Sequence, residues 1–405
     1  VKILHTSDWH LGQVLYSEKR ENEHREFLQW LLGLIGKEKI DLLLVAGDIF
    51  DTGSPSNYSL EMYFSFLADC CAAGCAQVIV IGGNHDSPST LRAPRHILKA
   101  IRVTVVGEVD KDNLSRDLIV AKGNDGKPGA IVCAVPYLRD RDVYSPQPGE
   151  EIETRAAGII KGVATWYRSM ADLAVAERGK LGLPGLPILA MGHLFAKGML
   201  KSGKERDLYV GNLSAFPVEQ FPTEFAYVAL GHLHMPQIAG KQGNVRYSGS
   251  PIPLSFDEIE YAKKVFIIDT DSTLEVRDVT VPVFKQLVRI AGDLTAIRNG
   301  FNQIQVSTKE TWVEVIYTGA TLIPNLLDQV GELAKKRGVK LIACPIGLRD
   351  GDGEGAVPSI DIAQLTPELA FEYRLKAERL TPDDEAMVGK AFREILKSVA
   401  EGEQE

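Results

Sequence analysis

At 405 residues the chain is long enough for about two or three domains with cores of their own, which excludes a single small module. Hydrophobic residues make up 45% and charged residues 24%, and no apolar run reaches membrane-spanning length. The formal charge of -9 excludes a broad basic surface that would hold nucleic acid by electrostatics alone. A polyanionic substrate would need a local source of positive charge.

Val1 opens directly into the strand-like VKILHTSD, with no basic flank or small-residue cleavage site, so a cytoplasmic protein with no membrane partner is expected. From residue 1 to about 280, short apolar runs alternate with amphipathic stretches. The first such stretch, after Ser17, carries Phe27, Leu28, Leu31, Leu32 and Ile35 at helical spacing. The apolar runs read as ILHTSD, LLLVAGD, VIVIGGN, ILAMGH and YVALGH, ending at Asp8, Asp48, Asn84, His193 and His232. Runs of this kind, buried on both faces, suit the inner strands of a layered α/β domain. Cys70, Cys71, Cys75, Cys133 and Cys344 contain no CxxC pair and fit reduced, mostly buried thiols.

Around residue 280 the cadence stops. TWVEVIYTG from Thr311, a helical stretch from Leu326 to Gly338 and VKLIACPI from Val339 predict a compact β-α-β-like second unit. The segment RDGDGEGAVPS reads as a linker. Beyond it, Thr366-Pro367 and Thr381-Pro382 each place an N-cap before a proline at the first helical position. Met387, Ala391, Ile395 and Val399 then form an apolar face that must pack on this chain or on a partner. The predicted boundaries are a first domain over 1–280, a small α/β unit over 281–348, a linker over 349–364 and a helical segment over 365–405.

Each polar strand end alone has an ordinary explanation as turn chemistry. Together they form a donor set. Asp8 and His10 are two apart, as are His232 and His234, so in extended backbone each pair points to one side. Asp48, Asn84 and His193 complete seven candidate metal ligands, too many for one catalytic zinc and suited to two ions sharing a carboxylate. Of eight histidines, five (His10, His85, His193, His232 and His234) fall at these strand ends, while His5, His24 and His96 are scattered. Imidazole, carboxylate and amide together suit manganese or iron better than magnesium. Such a pair of ions supplies local positive charge and, at neutral pH, hydroxide for phosphoryl displacement. His85 is then the candidate catalytic residue, placed to protonate a leaving oxygen, and Asp86 either orients it or braces the turn. Gly82 and Gly83 would let the backbone approach the metals.

The ordered motifs DWH (Asp8–His10), GDIFDTG (Gly47–Gly53), GNHDS (Gly83–Ser87), GH (Gly192, His193) and GHLH (Gly231–His234) resemble those of the calcineurin-like metallophosphoesterases. Within that superfamily, ILHTSDWHLGQ, VAGDIFDTGSPS, PYLRDRD and YSGSPIPLSFDE are similar to the Mre-type DNA repair nucleases of bacteria. The resemblance implies a four-layer αββα sandwich with a small α/β cap and C-terminal helices. It implies two Mn2+ ions held by Asp8, His10, Asp48, Asn84, His193, His232 and His234, with His85 as the catalytic histidine. The activity implied is manganese-dependent DNA cleavage, as a 3′-5′ double-strand exonuclease and a single-strand or hairpin endonuclease. The partners implied are DNA, a second nuclease subunit in a homodimer, and an SMC-like ATPase docked on the C-terminal helices. Asp51 stands where the archaeal and eukaryotic branch has a further histidine. Arg139, Arg141, Lys197, Lys201 and Lys204 lie near ligand-bearing segments, as phosphate contacts or as a solvated face. A phosphodiesterase of small substrates and a chiefly DNA-tethering subunit are the alternatives, although the second should lack ligands and none is missing.

Overall fold

The computed structural model describes residues 1–344 except 94, 197–198, 200–214, 272–273, 306–307, 320–322 and 324, together with 388, 389 and 392. The linker, nearly all of the C-terminal helical segment, and Lys197, Lys201 and Lys204 lie outside the described residues.

The chain begins with β1 (Lys2–Thr6), the short hairpin β2 (Val14–Leu15) and β3 (Glu18–Lys19), and α1 (Glu21–Glu38). Phe27, Leu28, Leu31, Leu34 and Ile35 give α1 one buried stripe, and left-handed Lys39 ends it. Next come β4 (Leu42–Ala46), α2 (Asn57–Ala72) and β5 (Gln77–Ile81), with Ser56 capping α2 by accepting from the Ser59 amide. Two short helices, α3 (Pro88–Arg92) and α4 (Arg95–Ala100), lead to β6 (Val103–Val106). A second series follows: β7 (Leu118–Lys122), β8 (Pro128–Ala134), α5 (Asp140–Val143), α6 (Ile152–Leu181), β9 (Ile188–His193), β10 (Phe225–Gly231), β11 (Gln237–Ala239) and β12 (Val245–Tyr247). The chain then returns through β13 (Lys264–Asp269) and β14 (Glu275–Thr280).

These strands form two sheets, ordered β14-β13-β1-β4-β5-β6 and β11-β12-β10-β9-β8-β7. Alternate residues of each inner strand divide between two cores, as strand geometry requires. Leu42, Leu44 and Ala46 of β4 meet Ala130, Val132, Leu189 and Met191 of the facing sheet. Leu43 and Val45 turn instead toward α1 and α2, and Ile188 and Ala190 of β9 turn toward Tyr167 and Met170 of α6. The result is the four-layer αββα sandwich that the sequence motifs imply.

Residues 286–343 form a separate three-stranded sheet. The order is β15 (Gln286–Gly292), α7 (Leu294–Gln303), β16 (Thr311–Tyr317), α8 (Leu326–Arg337) and β17 (Lys340–Ala343), with both strand pairings parallel. It has one more strand and helix than the periodicity predicts. The apolar signal of α7 is thin: its buried residues are Ile297 and Phe301, one turn apart. This unit has its own core around Val313, Val315 and Val330, and it docks on the sandwich by Trp312 against Leu15 and Phe256. Polar contacts ring that tryptophan: Tyr16 donates to Glu314, Arg289 bridges Glu314 and Asp257, and Lys340 meets Glu18 at 2.6 Å.

Candidate metal centre

The seven candidate ligands all emerge at the C-terminal ends of parallel strands, from both sheets, where open α/β sheets bind ligands. The turns after β1 and β4 run side by side, with the Asp8 amide donating to the Gly47 carbonyl and the His10 amide to the Asp48 carbonyl, both at 3.0 Å. Asp8, His10 and Asp48 have φ of 52°, 46° and 48°, and His232 has φ of 99°. The backbone there is therefore left-handed, not extended. Each such residue costs roughly 1–3 kcal/mol, a strain that surrounding structure must hold.

This corrects the side-chain geometry expected from spacing. Asp8 and His10 do converge, through two left-handed residues that flank buried Trp9. His232 and His234 diverge: His234 joins Asp8 and His10, while His232 joins Asp48 and His193. In each trio the candidate ligand atoms lie within 4.8 Å of one another. Asp48 Oδ2 stands between the two halves, 3.2 Å from His193 Nε2 and 3.7 Å from His10 Nε2. Asn84 Oδ1 meets His193 Nε2 at 3.1 Å and His232 Nδ1 at 2.9 Å.

Close approach explains one of the two glycines. A Cβ on Gly83 would sit 2.1 Å from Asp48 Oδ1, so only glycine lets the Asn84 turn pass the Asp48 carboxylate. Gly82 instead packs against the backbone of Gly107, a neighbouring strand end and not the metal site. His85 is half-buried, and its Nδ1 lies 2.8 Å from the Asp51 carbonyl oxygen. Its amide donates to Asp48 Oδ1 at 2.9 Å. Asp86 braces the turn: its carboxylate accepts from the amides of Ile49, Phe50 and Gly83.

The charges are strongly coupled. Burial raises Asp8 to about 6. Burial would also raise Asp48, but the facing His193 charge and hydrogen bond hold it well below the usual carboxylate range. In turn, burial pulls His193 down, yet the Asp48 carboxylate outweighs it and lifts the imidazole to about 9. Burial pushes His10 down, and His232 down to about 3, so both are neutral near pH 7.

A model of the calcineurin-like phosphoesterases matches residues 1–236, and one described as the type 5 capsule protein repressor C-terminal domain matches residues 283–379. The chain is 35% identical over 410 aligned positions to the SbcD component of nuclease SbcCD from Escherichia coli (strain K12), covering 100% of both chains. It belongs to the SbcD family. The SbcD of Bacillus subtilis (strain 168) is 31% identical over 99% of each chain, and that of Rhodobacter capsulatus is 37% identical over 73% of each.

Membership in the SbcD family implies divalent-metal binding, and the donor set fits it. His10 Nε2 is buried without a hydrogen-bond partner, a lone pair facing the cluster as a cation would require. Neutral imidazoles, carboxylates and one amide oxygen are ligands for first-row dications.

Sequence reasoning missed the residues behind the candidate ligands. Asp51 Oδ1 lies 3.1 Å from His10 Nδ1, and Glu258 Oε1 lies 3.1 Å from His234 Nδ1. Lys263 Nζ reaches Glu258 Oε2 at 2.6 Å and Ser250 Oγ at 2.8 Å. Ser7 donates to Asp8. Glu258 closes the motif YSGSPIPLSFDE, and that was the available signal. Arg139 sits half-buried at the start of α5 and Arg141 is exposed on it. His5 bonds Tyr227 within the core and His24 is fully buried, so neither joins the centre. All five cysteines are free thiols.

Proposed function

We propose that this chain is the hydrolytic subunit of a two-component DNA nuclease, using two manganese ions to cut phosphodiesters. Asp8, His10 and His234 would hold one ion, Asn84, His193 and His232 the other, and Asp48 both. The observation that carries this reading is that the seven donors form two adjoining groups, Asp8, His10 and His234 in one and Asn84, His193 and His232 in the other, with Asp48 Oδ2 within 3.7 Å of His10 and 3.2 Å of His193. When bound, the ions supply an activated water and neutralise charge on the phosphoryl oxygens.

The chain's own residues do the rest. Asp51 and Glu258 fix the imidazoles of His10 and His234 with Nδ1 outward, leaving Nε2 toward the cluster. The Asp51 carbonyl accepts from His85 Nδ1, which leaves His85 Nε2 as the nitrogen that passes a proton to a departing oxygen. Two dications against the carboxylates of Asp8 and Asp48 leave net positive charge where the whole chain is acidic.

The SbcD relatives are subunits of a complex named SbcCD. By that kinship the partner is the SMC-like ATPase SbcC, docked on segment 365–405, with the nuclease subunits paired as a homodimer and the 281–348 unit serving as a cap near DNA. No described helix is long and apolar enough to cross a membrane. The activity proposed is 3′-5′ exonuclease on duplex ends and endonuclease on single strands and hairpins, in the cytoplasm. The test is cleavage of end-labelled duplex and hairpin DNA with manganese, magnesium or chelator. Manganese-dependent DNA products are expected; hydrolysis of small phosphodiesters without DNA products, even with the ATPase present, would favour a small-substrate enzyme.

A further inference from the structure

We propose that the apolar cleft beside Asn84, His193 and His232 seats the nucleobase next to the phosphate being cut, turned out of its stack. This rests on the reading of the centre as a phosphodiesterase.

Those three residues form one wall of the cleft, and Tyr137, Val163 and Phe195 contribute to the others. The cavity volume is about 110 Å³, against roughly 10–15 Å³ needed to seat one water, so there is room for a group much larger than water. Tyr137 stands edge-on to His193, with ring centroids 6.2 Å apart at 80°, and its amide is tied to the Gly82 carbonyl at 2.9 Å. An aromatic ring is thus fixed to the same turn that delivers Asn84. Val163 projects from α6, whose Tyr167 donates to the Met191 carbonyl at 3.3 Å and anchors the helix against β9.

A DNA phosphate held at this half of the centre is esterified to two sugars, each of which carries a base. The base is the group whose chemistry matches an apolar wall with an aromatic side chain, because every base has a π-face. Apart from the three candidate ligands and Asp140, the residues lining the cleft are apolar or aromatic, so it should discriminate little among bases. Stacked duplex cannot fill it without a base leaving the stack, and that step is easiest at ends, hairpin loops and single strands.

The test compares two diesters that share a leaving group, thymidine 5′-(p-nitrophenyl) phosphate and methyl p-nitrophenyl phosphate, hydrolysed by the full chain with manganese. Val163→Phe fills the cleft and Tyr137→Ala removes its ring. For each variant, kcat/KM on the thymidine ester should fall about tenfold, the scale of one lost base-stacking contact. The methyl ester should change less than about twofold, in keeping with substitutions away from the metals. Calorimetry gives a readout independent of turnover: wild type should bind thymidine 5′-phosphate more tightly than methyl phosphate, and Val163→Phe should erase the difference. Equal losses on both esters, no loss on either, or equal binding of both phosphates to wild type overturns the proposal. If metal-loaded wild type hydrolyses neither ester, the phosphodiesterase reading fails and the nucleobase site fails with it.

Discussion

The two halves of the centre hold their histidines differently. Around Asp8, carboxylates stand behind the imidazoles: Asp51 behind His10 and Glu258 behind His234, each at 3.1 Å. Around Asn84, His193 leans on a neutral backbone carbonyl, that of Ala46 at 2.9 Å. A carboxylate behind a ligating imidazole fixes its tautomer and raises its basicity. By that rule the proposed ion position beside Asp8 should be the tighter of the two. The proposed second position borders the cleft, and the Asp48 carboxylate lifts His193 to about 9, so an ion there should exchange more readily.

Removing the residue common to both halves erases the contrast. Asp48→Ala should abolish binding at both positions and lower phosphodiester hydrolysis by about 10³–10⁴-fold, the equivalent of several kcal/mol of charge stabilisation. His85→Ala should lower kcat by about a hundredfold to a thousandfold while both ions stay bound, as elemental analysis of the purified variant would show. A loss of metal in that variant would make His85 a ligand and not a proton donor.

Glu258→Gln separates the halves. It should weaken the first position by about 10–100-fold and leave the second within a factor of a few, read from a two-site manganese titration. The same substitution has a signature in stability. Burial alone would raise Glu258, but Lys263 and His234 hold it well below the usual carboxylate range. A depressed carboxylate contributes stability that is present above its unfolded value, about 4.3, and lost as pH falls toward the folded value. Metal-free wild type should thus lose thermal stability in acid more steeply than Glu258→Gln.

The finest distinction is in pH. His10 is already neutral near pH 7, and Asp8 sheds its proton near 6, so affinity at the first position should level off above about pH 6. His193 holds its proton up to about 9. Metal must displace that proton, so affinity at the second position should keep rising about tenfold per unit from pH 7 toward 9. Parallel pH profiles for the two positions would remove the contrast drawn above.

The cluster was legible because five of its seven candidate ligands, Asp8, Asp48, Asn84, His193 and His232, end an apolar run, His10 and His234 follow two residues later, and five of the eight histidines fall at those strand ends. The layer order followed from the same runs, since strands buried on both faces must be covered on both. What stayed hidden depends on contacts distant in sequence or on backbone conformation. Glu258 reaches His234 across 24 positions. The separation of His232 from His234 needs a φ of 99° at His232, which no residue spacing encodes. Asp51 acts twice, by side chain on His10 and by carbonyl on His85, and only the folded turn shows either. The first helix of the 286–343 unit was missed because only Ile297 and Phe301 mark its buried side, and the strand before it was overlooked although Leu287, Val288 and Ile290 were there to be read.

The central claim is that Asp48 joins two ion positions of unequal character. Anomalous diffraction from crystals of the manganese-loaded protein tests it directly. The account predicts two peaks flanking Asp48 Oδ2, with the peak at Asn84, His193 and His232 the first to fade under brief chelation. A single peak, or two that fade together, would contradict it.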